Sequence, residues 1–164
     1  EFKDTNTQFE YIGANVTGRD PGNWYDVYTI DKGSGDGIQV NDAVIVGHGY
    51  LVGKIIETGA NYSKLMAIID ERSSISIIVN RTRDMGIVSG SADSDVIAIM
   101  ELEADIVKGD DIITSEYSTL PKGLHIGKVK SVEKQEKKLQ KVVIIEPSVD
   151  FKRLEEVFVI KASK

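Results

Sequence analysis

A glycine-rich, acidic stretch is the first part of the sequence that suggests chemistry. Residues 29–38 read TIDKGSGDGI, with three glycines, two aspartates and a serine between two apolar runs. A phosphate-binding loop aims its amides from the start of a helix, usually with Lys-Ser/Thr behind the glycines, whereas the strand-like IQVNDAVIV follows here. A calcium loop needs oxygen ligands at alternating positions, and two of those positions are Gly33 and Gly35. We therefore predict that DKGSGDG (31–37) within this stretch is a turn.

Serine-protease chemistry would need a histidine base between a serine nucleophile and an orienting carboxylate. The chain contains two histidines, His48 in a glycine-rich turn and His125. Its second half has no Gly-Asp-Ser-Gly sequence, and Ser89, Ser91 and Ser115 lie in predicted turns without a visible base. We predict that the chain has no catalytic residue.

Two acidic pairs, Asp110-Asp111 and Asp93/Asp95, are candidate cation ligands. Aspartates that precede strands more often bond their own backbone in turns, and we favour that interpretation. The chain has no cysteine, so thiolate metal sites and disulfides are excluded. We expect neither a metal nor a cofactor.

Charge argues against nucleic acid as a partner. The 164 residues carry a formal net charge of −6, which repels a phosphate backbone. Six lysines lie between residues 128 and 141, but the interleaved aromatics typical of a nucleic-acid surface are missing. We interpret this segment as a long hairpin with a solvated, charged tip whose lysines also protect a sheet edge.

The elements that must position these residues are short strands. Runs rich in Val and Ile, bounded by Gly, Asn, Asp or Pro, recur along the chain, for example YDVYTI, LVGKII, SISIIV and KVVIIEP. Such runs are typical of β-strands, and only DFKRLEE fits a helical turn. No apolar stretch approaches the roughly 18 to 20 residues of a membrane helix. We predict an all-β protein.

The sequence also contains an internal repeat of six segments in the same order. The matched pairs are NVTGRD (15–20) with IVSGSAD (87–93), VYTID (27–31) with IAIME (97–101), VNDAVIV (40–46) with KGDDIIT (108–114), GYLVGKI (49–55) with GLHIGKV (123–129), AIID (67–70) with VIIE (143–146), and SISIIV (74–79) with EVFVIK (156–161). Each half then holds about six strands, and closing so small a sheet removes its exposed edges. We predict two six-stranded β-barrels in tandem; a single β-sandwich is the alternative.

Two strings in the sequence are specific: GRDP-x-NW…IDKGS-x-DGI, from Gly18 to Ile38, and GD-x-x-ITS…P-x-G-x-x-IG-x-V, from Gly109 to Val129. On these strings the chain resembles the MreC family of bacterial rod-shape-determining proteins. Glu116 stands where the family commonly has Gly. The resemblance implies two barrels with chymotrypsin-like topology but no catalytic triad. We assign residues 1–9 to the tail of an upstream helical or coiled-coil segment, 10–82 to the first barrel and 83–164 to the second, and exchange of a strand between them is compatible with the repeat.

For function, the resemblance implies a non-catalytic scaffold of the cell-elongation machinery that makes lateral peptidoglycan. The implied partners are a penicillin-binding transpeptidase, MreD, a RodA-type glycosyltransferase and, through an N-terminal region, MreB, with self-association through a coiled coil. The implied location is the extracytoplasmic face of the cytoplasmic membrane, anchored by an N-terminal membrane helix.

Two other functions stay open at this point: a degenerate serine hydrolase on the same fold, and a module that binds cell-wall glycan. Trp24 and Tyr25 are aromatic candidates for a binding surface, with a place in the core as the alternative for Trp24. No contact residue follows from the sequence.

Overall fold

The computed structural model describes residues 9–20 and 26–162, and these residues form strands joined by turns. The twelve strands are β1 (Phe9–Arg19), β2 (Val27–Ile30), β3 (Ala43–Val46), β4 (Tyr50–Thr58), β5 (Ser63–Ala67), β6 (Ile75–Val79), β7 (Met85–Gly90), β8 (Val96–Glu101), β9 (Asp111–Thr114), β10 (His125–Gln135), β11 (Gln140–Pro147) and β12 (Glu156–Ala162). Three 3₁₀ turns cover Ser34–Asp36, Glu136–Lys138 and Phe151–Arg153. In the described ranges no helix has the length and apolar character needed to cross a bilayer.

Six strands close the first barrel in the order β1-β2-β5-β4-β3-β12, with β12 pairing back onto β1. All six pairings are antiparallel. Alternate side chains point inward, and the interior is filled by branched aliphatic residues such as Ile30, Leu51, Ile55 and Leu65, each fully buried. Burial of these side chains drives closure, since each contributes about 1.5 to 3 kcal/mol of transfer free energy.

The other six strands close the second barrel in the order β7-β8-β11-β10-β9-β6, with β6 pairing back onto β7. Its interior follows the same rule, with Ile77, Ile112, Ile126 and Ile145 fully buried. The prediction of an all-β fold with two six-stranded barrels is confirmed.

The sixth strand of each half is exchanged. β6 lies in the first half of the sequence but pairs with β7 and β9, while β12, at the end of the chain, pairs with β1 and β3. The compact units are therefore residues 1–68 with 149–164, and residues 69–148. This division differs from the predicted boundary between residues 82 and 83, because hydrogen bonding rather than chain order decides which barrel a strand completes. Of the predicted tail at residues 1–9, all but Phe9, the first residue of β1, lies outside the described residues.

Two glycines at equivalent places show how closely the barrels repeat each other. Gly53 pairs with Val44 and Gly127 pairs with Ile112, and an irregularity in register lies next to each glycine. A Cβ atom would lie 2.0 Å from the Met66 carbonyl oxygen at Gly53 and 2.0 Å from the Glu146 carbonyl oxygen at Gly127. The glycine of Gly53-Lys54 and of Gly127-Lys128 is thus required because the backbone of the paired strand approaches it too closely for a side chain.

The pairing registers correct part of the predicted repeat. The segments in β1 and β7, in β3 and β9, and in β4 and β10 correspond as predicted. The other three matches are shifted by two or four residues along the strand. In the structure Ile145 corresponds to Leu65 and not to Ile69, Ala98 to Ile30 and not to Tyr28, and Val79 to Val159 and not to Lys161.

Candidate interaction surface

The glycine-rich segment DKGSGDG (31–37) forms a turn, as predicted, while Thr29 and Ile30 belong to β2. Its 3₁₀ turn begins after Gly33, whose amide donates to the Asp36 carboxylate at 3.0 Å, and Gly37 adopts a φ of 93°. The amides of Ser34 and Gly35 donate to the carbonyls of residues 59 and 60 at 2.8 and 3.0 Å. The loop's amides are therefore used within the fold and do not form a phosphate cradle.

The serine and histidine candidates lie in separate settings. His48 belongs to the turn between β3 and β4, and His125 begins β10. The buried Ser115 hydroxyl lies 2.8 Å from that of Ser76 and accepts the amide of residue 117 at 3.1 Å, and the Ser91 hydroxyl donates to the carbonyl of residue 95 at 3.0 Å. The Ser91 hydroxyl orders its own turn, and the Ser115 hydroxyl links the residues after β9 to β6. Ser89, predicted to lie in a turn, belongs to β7.

Three of the four acidic candidates face a cation. The Asp110 carboxylate accepts Arg81 Nε at 2.8 Å and the amide of residue 107 at 2.9 Å. The hydrogen bond from Arg81 holds the pKa of Asp110 below its ordinary value, against the opposing effect of burial. The other two ion pairs join Lys128 to Asp111 at 2.8 Å and Lys130 to Asp95 at 3.3 Å.

The fourth acidic candidate, Asp93, is exposed in the turn between β7 and β8. Across residues 9–20 and 26–162, no group of three or more His, Asp or Glu side chains is arranged to hold a metal. The acidic pairs therefore belong to turns and ion pairs in this part of the chain.

The lysine-rich segment forms the β10–β11 hairpin, as predicted. Its tip, Glu136–Lys138, is exposed, and the following Leu139 adopts a φ of 53°. Lys141 differs from the others because it is buried and donates to the carbonyl of Ala104. The hairpin therefore places most of its charge in solvent and uses one lysine inside.

A patch of apolar side chains on the outside of the second barrel is the candidate interaction surface. Ile87 on β7 pairs directly with Ile99 on β8, which pairs with Val142 on β11. Ile87 is 57% exposed and Ile99 46% exposed, although their strand neighbours Val88 and Ala98 are buried. We call the following six side chains the apolar face: Met85, Ile87, Ile97, Ile99, Val142 and Ile144.

Comparison with the first barrel shows that the fold does not need apolar residues at the positions of the apolar face. By the pairing registers, Asn15 and Asp31 occupy the places of Ile87 and Ile99. The Asn15 backbone amide and side chain donate to the Asp31 carboxylate at 2.8 and 3.1 Å, and these bonds from Asn15 lower the pKa of Asp31.

Two further positions of the apolar face are polar in the first barrel. Thr29 and Lys64 stand where the second barrel has Ile97 and Ile144. The same architecture is thus built with polar residues at four of the six positions. The barrel architecture therefore does not require apolar residues at these positions.

Sequence reasoning identified the strands of this surface but not the surface. The signal was the absence of alternation in VIAIM (96–100) and KVVII (141–145). A barrel strand that is apolar on both sides places apolar side chains on the outside of the barrel, where a partner can cover them. Trp24 and Tyr25, the predicted surface aromatics, lie outside the described residues.

The fold and this surface define a class of protein: a tandem β-barrel with an exposed apolar face and with acidic residues that serve turns and ion pairs. The family model for "Rod shape-determining protein MreC, barrel core" matches residues 16–161. The chain belongs to the MreC family.

Relatives agree with this assignment. The chain is similar to the cell shape-determining protein MreC of Listeria monocytogenes, with 31% identity over 170 residues that cover 99% of this chain and 57% of that protein. The solved MreC structure from that organism has a TM-score of 0.84 at 29% identity and covers 95% of this chain and 77% of that one. The chain thus spans 57% of the length of that curated relative.

Two more distant structures share the fold. One is the major periplasmic domain of the cell shape-determining filament MreC, with a TM-score of 0.80 at 20% identity, covering 94% of this chain and 97% of that one. The other is in a complex between a penicillin-binding protein and MreC from Helicobacter pylori, with a TM-score of 0.73 at 14% identity, covering 95% and 99%. At these identities the likeness concerns the fold alone.

Proposed function

We propose that this chain is a non-catalytic scaffold of the cell-elongation machinery and that it maintains cell shape by presenting binding surfaces. The observation that carries the proposal is the apolar face of the second barrel. Its residues are more apolar than the equivalent residues of the first barrel, and exposed apolar patches bounded by polar residues mark sites of protein association. Membership of a family named for shape determination supports the same conclusion.

The first partner in this proposal is a penicillin-binding transpeptidase, supported by the complex known for the Helicobacter pylori relative. MreD and a RodA-type glycosyltransferase are further proposed partners, with MreB reached through a region that precedes the barrels in the complete protein. We place the barrels on the extracytoplasmic side of the cytoplasmic membrane, tethered by a preceding membrane helix. A distant relative of the same fold is a periplasmic domain, which supports this location.

Tethering of both proteins to one membrane explains how a small apolar face can be enough to hold a partner. Two proteins held at one membrane meet at an effective concentration that is roughly millimolar for short flexible linkers. A contact that is weak in solution is then occupied for most of the time. The scaffold therefore needs no deep pocket.

A double substitution that copies the first barrel tests the function. Ile87→Asn with Ile99→Asp introduces into the second barrel the Asn–Asp pair that the first barrel forms with Asn15 and Asp31 at the equivalent positions. In cells that depend on the complete protein, we expect loss of rod shape and loss of transpeptidase co-purification, at unchanged protein level. The matched control is Val107→Asn, since Val107 is 53% exposed and outside the apolar face. Normal shape with the double variant would contradict the proposal.

The non-catalytic part is tested separately. A serine-reactive phosphonate should leave the purified chain unlabelled, and the variant Ser115→Ala should complement cell shape. Labelling that Ser115→Ala or Ser89→Ala abolishes would support the hydrolase alternative instead.

A further inference from the structure

The apolar face offers no unpaired strand edge to a partner. β7 is paired with β6 and β8, β8 with β7 and β11, and β11 with β8 and β10. In a closed barrel each of these strands already has a neighbour on both sides. Binding by strand addition, which needs an open edge, is therefore excluded at this surface. A partner can contact the apolar face only through side chains.

The dimensions of the apolar face suit one helix. It spans three adjacent strands, and two inter-strand spacings amount to about 10 Å. An α-helix with its side chains is about 10 to 12 Å across. An amphipathic helix presents its apolar stripe without exposing unpaired backbone groups, so its shape and its hydrogen bonding both fit a closed sheet.

Three exposed carboxylates border the apolar face, and we call them the acidic rim. Glu133 pairs in register with Val142, and Glu101 and Glu146 lie two residues beyond Ile99 and Ile144 on the same side of their strands. Within the described ranges none of these three carboxylates forms an ion pair, in contrast to Asp95, Asp110 and Asp111.

Two of the lysines near the acidic rim form ion pairs with carboxylates outside it. Lys128, in register with Glu146, forms its ion pair with Asp111, and Lys130 forms its own with Asp95. Arg83, two residues before β7, donates to the Asn80 side chain at 3.3 Å. Among the described residues, the three rim carboxylates therefore have no ion-pair partner and can accept one from a bound molecule, although exposed Lys134 directly follows Glu133.

This rim disfavours a second copy of the chain as the occupant. A symmetric pair would bring two acidic rims together, and each chain already carries a net charge of −6. Like charges across an interface reduce affinity and slow association. A partner with basic residues beside its apolar stripe would instead gain affinity from the same carboxylates.

We propose that the apolar face binds an amphipathic α-helix of another protein whose apolar stripe is flanked by Lys or Arg. This inference rests on the proposed scaffold function and specifies the chemistry of the partner at that site. Apolar burial against Ile87, Ile99 and Val142 supplies most of the affinity. The acidic rim supplies orientation and a dependence on ionic strength.

The test uses two synthetic peptides of about 18 residues, which is roughly 27 Å of helix. Both carry the same apolar stripe of Leu and Ile. In one peptide this stripe is flanked by lysines, and in the other by glutamates. Labelled peptides are titrated with the purified 164-residue chain and followed by fluorescence anisotropy. We expect the lysine-flanked peptide to bind about tenfold more tightly, and this advantage to shrink as salt is raised. The variant Ile87→Asn/Ile99→Asp should lose about tenfold in affinity, and Glu101→Gln/Glu133→Gln should remove most of the difference between the peptides. Val107→Asn should bind like the parent.

Equal binding of both peptides, or binding that the double variant does not weaken, would overturn the helix proposal. Self-association that Ile87→Asn/Ile99→Asp abolishes, measured by sedimentation, would overturn it in favour of a second copy. Either result can coexist with loss of cell shape in the same variant, in which case the scaffold function stands and only the partner's chemistry is wrong. If cells with the double variant keep a normal shape although the parent chain binds the lysine-flanked peptide tightly, the scaffold function is contradicted instead.

Discussion

At the scale of single residues, ion pairs at the start of β3 and β9 link each barrel to its exchanged strand. The Asp42 carboxylate accepts the Gln39 amide and lies 3.4 Å from the ammonium of Lys161, which belongs to β12. Asp110 accepts the amide of residue 107 and pairs with Arg81, two residues after the end of β6. The repeat thus extends to the way in which an aspartate closes its own turn and holds a cation from the exchanged strand.

Asp110 should make the second barrel sensitive to acid. The hydrogen bond from Arg81 lowers the pKa of Asp110 in the folded protein. A carboxyl with a lowered folded pKa stabilises fully above its unfolded pKa, about 4, and loses that contribution as the pH falls through the folded value. Asp110→Asn should cost about 1 to 2 kcal/mol at pH 7, and the difference from the parent should shrink below about pH 4.

Urea unfolding at several pH values measures this difference. Asp105→Asn is the control, because the Asp105 side chain is 62% exposed and meets the same Arg81 at 3.2 Å; exposed pairs contribute about 0 to 1 kcal/mol. A cost for Asp110→Asn that stays constant down to about pH 2 would show that the ion pair is not its cause.

At the scale of strands, the close pairing of β4 with β5 and of β10 with β11 depends on a glycine in each barrel. Gly53→Ala and Gly127→Ala would each place a methyl group 2.0 Å from a strand carbonyl oxygen. We expect each to destabilise by about 2 to 3 kcal/mol, since the backbone must move to admit the methyl group.

Gly18→Ala is the matched control for both substitutions. A Cβ atom there has no heavy atom within 4 Å, so its effect should stay within about 0.5 kcal/mol. Thermal unfolding of the three variants ranks them. A neutral Gly127→Ala beside a destabilising Gly53→Ala would show that the two close strand contacts are not equivalent.

At the scale of the whole molecule, strand exchange decides which polypeptide can fold alone. Residues 69–148 contain all six strands of the second barrel, β6 included. Residues 83–164 contain β12 in place of β6, which leaves β7 and β9 without the strand that joins them. We expect the first polypeptide to unfold cooperatively in urea and the second to show no cooperative transition. The reverse result would contradict the exchange.

The sequence by itself determined the fold class, because runs of β-branched residues and dense turn signals leave few alternatives to an all-β structure. It also identified the repeat and, through the G-K pairs in LVGKI and HIGKV, the correspondence of β4 with β10. Loop 31–37 could be predicted as a turn, since the residue types required by a phosphate or calcium site are missing from it.

Register elsewhere was decided only by the tertiary structure. The predicted counterpart of Ile145 is Ile69, four residues from the observed Leu65. The predicted counterpart of Val79 is Lys161, two residues from the observed Val159. Both shifts are even, because a pattern with a period of two is unchanged when it slides by two residues. The pattern tells which side a residue faces but not which residue lies opposite.

Strand exchange and the apolar face were likewise decided by the tertiary structure. β6 and β12 have similar sequences, so nothing local states which barrel each one completes; their pairing partners do. In the sequence, Ile87 and Ile99 are ordinary strand residues. In the closed barrel they point outward, lie opposite each other and are exposed. Hydrophobicity is a property of the residue, whereas exposure is a property of the fold.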